Sequence, residues 1–231
     1  MSVSAPKLVI FDCDGTLVDS QHAIVGAMTD AFLSEGIPPP VRDRVVGVVG
    51  LSLEFAIARL LNDEVDLAQV DRLAAAYKAS FAERRRRHDH AEPLYDGVRE
   101  TLERLAARDD VALGIATGKS RRGVDALLER EALGGLFSTI QTADTHPSKP
   151  HPSMIFAAMS DTLATPEATA MIGDTTYDIE MALGAGASAI GVAWGYHPEE
   201  ALRQAGARPV TADCAALERA LDHVIFQKLT A

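Results

Sequence analysis

Residues 7–17 read KLVIFDCDGTL, a short apolar run that ends in two acidic residues. Apolar residues without polar alternation are typical of a strand that is buried on both faces, as in a parallel sheet. Asp12 and Asp14 lie two positions apart at the end of this run, so both side chains can point the same way while Cys13 points back. The segment therefore predicts a parallel strand that ends in a pair of carboxylates.

Beyond residue 93, strand-like and helical patterns alternate along the chain. Strands are predicted at 111–116, 139–142, 169–172 and 188–192, and helices at 98–107, 121–131, 152–163, 175–183 and 213–228. This alternation predicts an α/β fold in which helices cover both faces of a parallel sheet.

Residues 17–92 have a different pattern of apolar residues from the rest of the chain. Their apolar residues recur at three- and four-residue steps, and no strand pattern is present. Three prolines at 38–40 interrupt the first helical region, and a further helical run covers 65–87. The sequence thus predicts an all-helical insert after the first strand.

The composition is that of a globular protein with an excess of acidic residues. The 231 residues include 22 Lys and Arg against 33 Asp and Glu, which gives a formal net charge of −11. Phosphate backbones and anionic lipids repel a chain this acidic, so we expect no nucleic-acid or membrane partner. Two cysteines make no disulfide framework, and no apolar run approaches the ~20 residues of a membrane span, which favours a soluble cytoplasmic protein.

Polar side chains follow four of the predicted strands. They are Asp12 with Asp14, Thr117 with Lys119, Lys149, and Asp174 with Asp178. Because the carboxyl ends of parallel strands meet at one edge of a sheet, we expect these side chains to share one cleft. Carboxylates this close repel one another, and Mg²⁺, which prefers oxygen ligands, would offset their charge. A metal ion and lysines beside a nucleophilic carboxylate are suited to phosphoryl transfer.

The same segments resemble a known family. In chain order, FDCDGTL at 11–17, ATG at 116–118, KP at 149–150 and GDTTYD at 173–178 resemble the four motifs of the haloacid dehalogenase-like (HAD) superfamily. The resemblance implies a Rossmann-like, three-layer α/β core made of residues 1–16 and 93–231. It also implies that the insert, residues 17–92, is a helical cap domain with hinges near 17–20 and 91–96.

The resemblance implies a catalytic role for several of these side chains. Asp12 is expected to be the nucleophile that attacks phosphorus. Asp14 is expected to protonate the leaving alcohol and then to activate water. Thr117 and Lys149 are expected to hold the phosphoryl oxygens, and Lys149 also offsets the charge of Asp12.

A magnesium site is implied in the same way. Asp174 is expected to ligate Mg²⁺ together with the carboxylate of Asp12 and the backbone carbonyl of Asp14. Asp178 is expected to support this site as a second acid near the metal and Lys149.

Glycines and a loop of the insert complete the expected substrate site. The backbone amides of Gly15 and Gly118 can face the phosphate, because tight turns allow a close approach. The loop at 47–52 matches the cap loop that reaches the active site in relatives, so Gly50 is predicted to contact substrate. An ordinary helix–helix turn is the alternative interpretation of this loop.

Within the superfamily, the closest resemblance is to phosphoglycolate phosphatases and their near relatives. It is carried by residues 11–20, 93–97, 149–152 and 191–196. It implies that a Mg²⁺-dependent monomer or homodimer hydrolyses a small phosphorylated metabolite, with 2-phosphoglycolate as the leading candidate. Two alternatives stay open: a phosphosugar mutase, and a non-catalytic regulatory protein that binds a phosphorylated ligand.

Overall fold

A parallel sheet lies at the centre of the protein. The computed structural model describes residues 6–61, 66–86 and 92–226. The strands are β1 (Lys7–Phe11), β2 (Val111–Thr117), β3 (Phe137–Thr142), β4 (Thr169–Gly173), β5 (Ser188–Val192) and β6 (Val210–Thr211). They lie in the order β3-β2-β1-β4-β5-β6, and every neighbouring pair is parallel.

Helices surround this sheet and also form the insert. They are α1 (Gln21–Ser34), α2 (Arg42–Val46), α3 (Leu53–Leu60), α4 (Leu67–Arg86), α5 (Val98–Ala106), α6 (Arg121–Arg130), α7 (Ser153–Thr162), α8 (Thr176–Gly184), α9 (Glu199–Ala205) and α10 (Cys214–Leu221). The predicted α/β fold with a parallel sheet and a Rossmann-like core is confirmed.

Strand β1 lies where the direction of strand addition reverses. The chain adds β2 and then β3 on one side of β1, and it returns to place β4 on the other side. Phe11 at the end of β1 is in register with Ile172 near the end of β4. Open α/β sheets bind their ligands at such a reversal, so residues that follow β1 and β4 are placed side by side at the binding edge.

Alternate residues of β1 pack into different layers. Val9 and Phe11 belong to the apolar cluster with α5, α6 and α10. Leu8 and Ile10 belong to the cluster with α7 and α8. Because side chains alternate between the faces of a strand, burial of both faces accounts for the continuous apolar run.

The insert has its own apolar cluster, to which α1, α2, α3 and α4 contribute. Met28, Phe32, Ile57 and Leu73 are among its buried members. No helix within the described ranges is both long enough and apolar enough to cross a membrane.

The two chain crossings between insert and core lie beside each other. The amide of Asp19 donates to the carbonyl of Pro93 over 2.9 Å, and the amide of Tyr95 donates to the carbonyl of Leu17 over 3.0 Å. Both contacts fall within the predicted hinge regions. Residue 91, the first of the second hinge, lies outside the described residues.

Some elements differ from the sequence-based expectation. Neither α9 nor β6 is predicted from the sequence. They have seven and two residues, and such short segments carry too little periodicity to indicate a helix or a strand. The last helix, expected through residue 228, is α10 followed by a π-helical turn at Asp222–Phe226. Residues 227 and 228 lie outside the described residues, as do residues 65 and 87 of the helical run expected at 65–87.

Leu102→Ala is expected to lower the free energy of unfolding by ~2–5 kcal/mol, because it deletes a fully buried side chain of α5 and leaves a cavity. Urea denaturation followed by circular dichroism measures the change. Leu33→Ala is the matched control, since Leu33 is 58% exposed and its loss should cost within about 0.5 kcal/mol. Equal effects of the two substitutions would contradict this assignment of the core.

Candidate active site

Three buried carboxylates meet where β1 and β4 end. Asp12 directly follows β1, Asp174 directly follows β4, and Asp178 lies in the first turn of α8. One oxygen of each lies within 4.8 Å of the others, and all three residues are fully buried. The sheet topology therefore brings Asp12 beside two acids that lie 162 and 166 positions later along the chain.

Lys149 is the cation that touches two of these acids. Its Nζ lies 3.0 Å from Asp12 Oδ1 and 2.6 Å from Asp178 Oδ1, with no exposed side-chain surface on any partner. Burial lowers the pKa of Lys149, but the two carboxylates raise it more, so the pKa lies above its usual value. The ammonium group therefore stays charged inside the protein.

The two oxygens of Asp12 have different surroundings. Oδ1 accepts from the amide of Cys13 over 2.7 Å and contacts Lys149. Oδ2 is buried and has no hydrogen-bond partner among the described residues. Burial raises the pKa of Asp12 to about 6, although Lys149 opposes the shift and Asp178 adds to it. Asp12 thus presents one oxygen whose lone pairs are available for chemistry.

Asp174 is held by neutral donors rather than by lysine. Its Oδ1 accepts from the hydroxyl of Thr16 over 2.7 Å, and its Oδ2 accepts from the amide of Tyr196 over 2.9 Å. Burial and the nearby Asp178 and Asp12 carboxylates raise the pKa of Asp174. This carboxylate is oriented firmly but lacks a positive partner among the described residues.

A hard divalent cation fits this cluster. Three carboxylates crowd one fully buried place. Among the residues that the structure describes, only one lysine contacts them and no hydrogen-bond partner reaches Asp12 Oδ2. Mg²⁺ takes oxygen ligands and would offset the excess negative charge. The acids of this cluster are Asp12, Asp174 and Asp178, and the side chain of Asp14 is not among them. The role of the Asp14 backbone carbonyl stays a prediction.

The side chain of Asp14 points to a second cation instead. Its Oδ1 accepts from the hydroxyl of Ser20 over 2.6 Å and from Lys119 Nζ over 2.8 Å. Lys119 also contacts Glu92 over 3.2 Å, and Glu92 in turn pairs with Arg130. Burial lowers the pKa of Lys119 and the two carboxylates raise it more, so the pKa lies above its usual value. A charged network therefore fixes Asp14 at the mouth of the site.

Sequence reasoning did not identify Glu92, Ser20 or Tyr196 as site residues. Glu92 reaches Lys119 across 27 positions, and Tyr196 reaches Asp174 across 22 positions, so neither contact has a local signal. The Tyr196 hydroxyl also accepts from the amide of Ser20 over 3.0 Å. The segment after β5 thus contacts residues that follow β1 and β4.

Thr117 is the last residue of β2, and Gly118 follows it beside this network. Thr117 is buried, and its Oγ1 accepts from the amide of Lys119 over 3.2 Å. Gly15, on the neighbouring turn, has a φ of +89°, and a Cβ there would lie 2.1 Å from Asp174 Oδ2. Only glycine permits both this conformation and this approach. The predicted contacts of Thr117, Gly15 and Gly118 with phosphate stay predictions.

The loop of residues 47–52, here called the insert loop, rests on the core. The amide of Ser52 donates to Ser148 Oγ over 2.9 Å, and the hydroxyl of Tyr177 donates to the carbonyl of Gly47 over 3.0 Å. A Cβ on Gly118 would lie 2.5 Å from the carbonyl oxygen of Gly50. The loop therefore reaches the strand ends, and a substrate contact at Gly50 stays a prediction.

A cleft of about 660 Å³ opens between the insert and the core. Asp14 and Lys119 line it, together with Gly50 of the insert loop and Gly118 of the core. The arrangement offers a nucleophilic oxygen, a fixed carboxylate beside an open volume, and buried acids that can hold a cation. Such a set can transfer an anionic group to Asp12 while a second carboxylate handles the proton.

Comparisons with known proteins agree with this arrangement. Residues 9–192 match the family described as haloacid dehalogenase-like hydrolase. The chain is 39% identical over 200 residues to the probable phosphatase IndB of Dickeya dadantii, covering 86% of each chain. It is 33% identical over 194 residues to a phosphoglycolate phosphatase of Pseudomonas putida, covering 83% of this chain and 71% of that one. The crystal structure of a hydrolase from Pseudomonas syringae superposes with a TM-score of 0.81 at 26% identity, over 94% of this chain and 99% of that chain.

Gly118→Ala is expected to displace the insert loop from the core. The added Cβ would lie 2.5 Å from the carbonyl oxygens of Gly50 and Leu51, which is well inside contact distance. The Ser52 amide, now bonded to Ser148, should exchange with deuterium at least about tenfold faster, equivalent to ~1.4 kcal/mol of local stability. Hydrogen exchange read by mass spectrometry measures this change.

The matched control for this experiment is Gly134→Ala. A Cβ on Gly134 meets no atom within 4 Å, so exchange in the insert loop should not change. Unaltered protection of Ser52 in Gly118→Ala would contradict the close contact between loop and core.

Proposed function

The chain belongs to the haloacid dehalogenase-like hydrolase family, and we propose that it is a Mg²⁺-dependent phosphatase that hydrolyses a small phosphate monoester through an aspartyl-phosphate on Asp12. The observation that carries this proposal is the buried Asp12 Oδ2, which has no hydrogen-bond partner within the described part of the chain, in a carboxylate held by the charged Lys149. Relatives that are named phosphatases support the same activity.

In the first step, Asp12 Oδ2 attacks phosphorus and the bond from phosphorus to the leaving oxygen breaks. Asp14 gives its proton to that leaving oxygen, so the product departs as a neutral alcohol. Ser20 and Lys119 hold the Asp14 carboxyl group at the edge of the cleft, where a leaving group would lie. The phosphoryl group is then bonded to Asp12.

In the second step, Asp14 takes a proton from water, and the water oxygen attacks phosphorus. The bond between phosphorus and Asp12 breaks, which restores the carboxylate and releases inorganic phosphate. Lys149 keeps Asp12 Oδ1 paired throughout, so the charge that returns to Asp12 is already compensated. The buried hydroxyl of Thr117 and the amides of Gly15 and Gly118 are proposed donors to the phosphoryl oxygens.

Asp12, Asp174 and Asp178 are proposed to hold the metal ion, with the backbone carbonyl of Asp14 as a further ligand. Bound Mg²⁺ would supply the positive charge that stabilises the phosphoryl oxygens as negative charge develops on them. The insert loop, seated on Gly118, would exclude bulk water from this charged site.

We further propose that the protein acts in the cytoplasm on a small phosphorylated metabolite, as a monomer or homodimer. Both cysteines, Cys13 and Cys214, are free and buried, which suits a reducing compartment. The phosphoglycolate phosphatase of Pseudomonas putida makes 2-phosphoglycolate one substrate to test. Net release of inorganic phosphate distinguishes a phosphatase from a phosphosugar mutase or a regulatory protein.

Asp12→Asn is expected to lower kcat for p-nitrophenyl phosphate by more than about 1,000-fold, because it removes the nucleophile. EDTA should abolish the activity of the unaltered protein, and added Mg²⁺ should restore it. Absorbance of released nitrophenolate measures both effects. Asp125→Asn, in an exposed pair with Arg121, is the matched control and should retain activity. Undiminished turnover by Asp12→Asn in the presence of EDTA would refute the proposal.

Asp14→Asn is expected to accumulate the phosphorylated protein with p-nitrophenyl phosphate as substrate. Nitrophenolate leaves without a proton, so the first step survives, whereas the attack of water loses its base and slows by about 100-fold or more. Intact-protein mass spectrometry after rapid quenching should detect one added phosphoryl group. That group should be absent from the double variant Asp12→Asn, Asp14→Asn. Its presence there would place the nucleophile elsewhere.

A further inference from the structure

The cleft beside Asp14 must receive the leaving group, if the proposed function is correct. Asp14 protonates the leaving oxygen in that mechanism, and its carboxylate lines the cleft together with Lys119. The volume is about 660 Å³, within the range of about 300–1,000 Å³ that encloses a drug-sized ligand. The two-carbon acid of 2-phosphoglycolate would leave most of this space to water.

Apolar side chains form most of the walls of the cleft. Those from the insert include Ile24, Met28, Val45, Val49, Leu51 and Phe81. Tyr77 also lines the cleft, and its ring centroid lies 5.7 Å from that of Phe81. An apolar wall gains free energy only when an apolar surface replaces the water against it. The walls therefore favour a leaving group with a substantial apolar body.

Both lysines that line the cleft are paired with acids, and Arg85 and Arg122 add further positive charge to its lining. Lys119 is paired with Asp14 and Glu92, and Lys78 is paired with Glu54. Lys119 Nζ also lies 5.5 Å from the Phe81 ring centroid. A flat ring placed against Phe81 would thus meet an aromatic face and a cation, both of which attract aromatic groups.

We propose that the substrate is a phosphate monoester whose leaving group carries an aromatic or heteroaromatic ring, and that this ring packs against Phe81 and Tyr77 in the cleft. The phosphoryl group lies at the strand ends, and the ring lies toward the insert.

A pair of esters with matched chemistry tests this proposal. Ethyl phosphate and 2-phenylethyl phosphate are both esters of simple primary alcohols, so they differ mainly in the ring. We expect kcat/KM for 2-phenylethyl phosphate to exceed that for ethyl phosphate and for 2-phosphoglycolate by at least about tenfold. Uridine 5′-monophosphate, assayed beside them, distinguishes a nucleobase ring from a carbocyclic one. Preference for either ring-bearing ester supports the proposal, and preference for neither overturns it.

Two substitutions then test whether the ring of the substrate binds in the cleft. Phe81→Ala removes an aromatic wall, and Ala126→Leu fills space from the opposite, core side. Each should reduce the ratio of kcat/KM for the preferred ring-bearing ester over ethyl phosphate by about tenfold. Ala126→Leu changes a half-buried helix position, so it keeps the test available if Phe81→Ala fails to fold. Phe55→Ala is the control, since Phe55 is an exposed ring of the insert that does not line the cleft, and the ratio should stay constant.

The outcomes separate this inference from the proposed function. If every ester releases phosphate in a Mg²⁺-dependent reaction, but the ratio of kcat/KM for the ring-bearing esters over ethyl phosphate is near one, the preference for a ring is refuted. The proposed phosphatase activity is then still supported. If neither Phe81→Ala nor Ala126→Leu changes that ratio, the ring does not bind in this cleft, and the inference is refuted as well. Failure to hydrolyse any ester with Mg²⁺ present overturns the phosphatase itself.

Discussion

The ammonium group of Lys149 is the interaction on which the rest of the site depends. It contacts Asp12 and Asp178 at once, and none of the three side chains has exposed surface. Removing one member of a buried ion pair leaves an uncompensated charge, at a cost of ~3–5 kcal/mol. Lys149 therefore makes it feasible to bury two acids next to a third, Asp174. It also leaves a net negative charge in the interior, which is why the same cluster suits a divalent cation.

Close packing around these acids explains the glycines that flank them. A Cβ on Gly15 or Gly195 would lie 2.1 Å from an atom of Asp174, and a Cβ on Gly173 would lie 2.2 Å from Asp178 Cβ. The glycines let three chain segments approach the carboxylates closely enough to exclude water. A low-dielectric interior strengthens each charge interaction, so tight packing and strong electrostatics depend on each other here.

Sequence reasoning was most successful where the signal is local. The run at Lys7–Phe11 predicted β1, because burial on both faces leaves a continuous apolar pattern. The pattern did not separate Asp12 from Asp14, which lie two positions apart yet contact different lysines. The lysines that distinguish the two acids, Lys119 and Lys149, lie after other strands of the sheet. Contacts such as that of Glu92 with Lys119 depend on tertiary structure alone. Likewise β6, with two residues, forms because β5 offers it an edge.

The core constrains the positions of its functional residues more tightly than the insert does. The reacting groups lie at the ends of strands whose register is fixed by four neighbouring pairs in the interior of the sheet, so they cannot shift independently. The large apolar side chains of α1 and α4 that line the cleft belong to the apolar cluster of the insert, against which Tyr196 of the core also packs. They lie outside the sheet, so they can be substituted without changing the register of the strands. A leaving group that contacts both parts would hold the insert loop against Gly118, so its binding energy would be used to exclude water during the reaction. A leaving group too small to bridge the cleft makes no such contact. Because binding of the leaving group is coupled in this way to the exclusion of water, the apolar walls can select the substrate of a reaction between ionic groups.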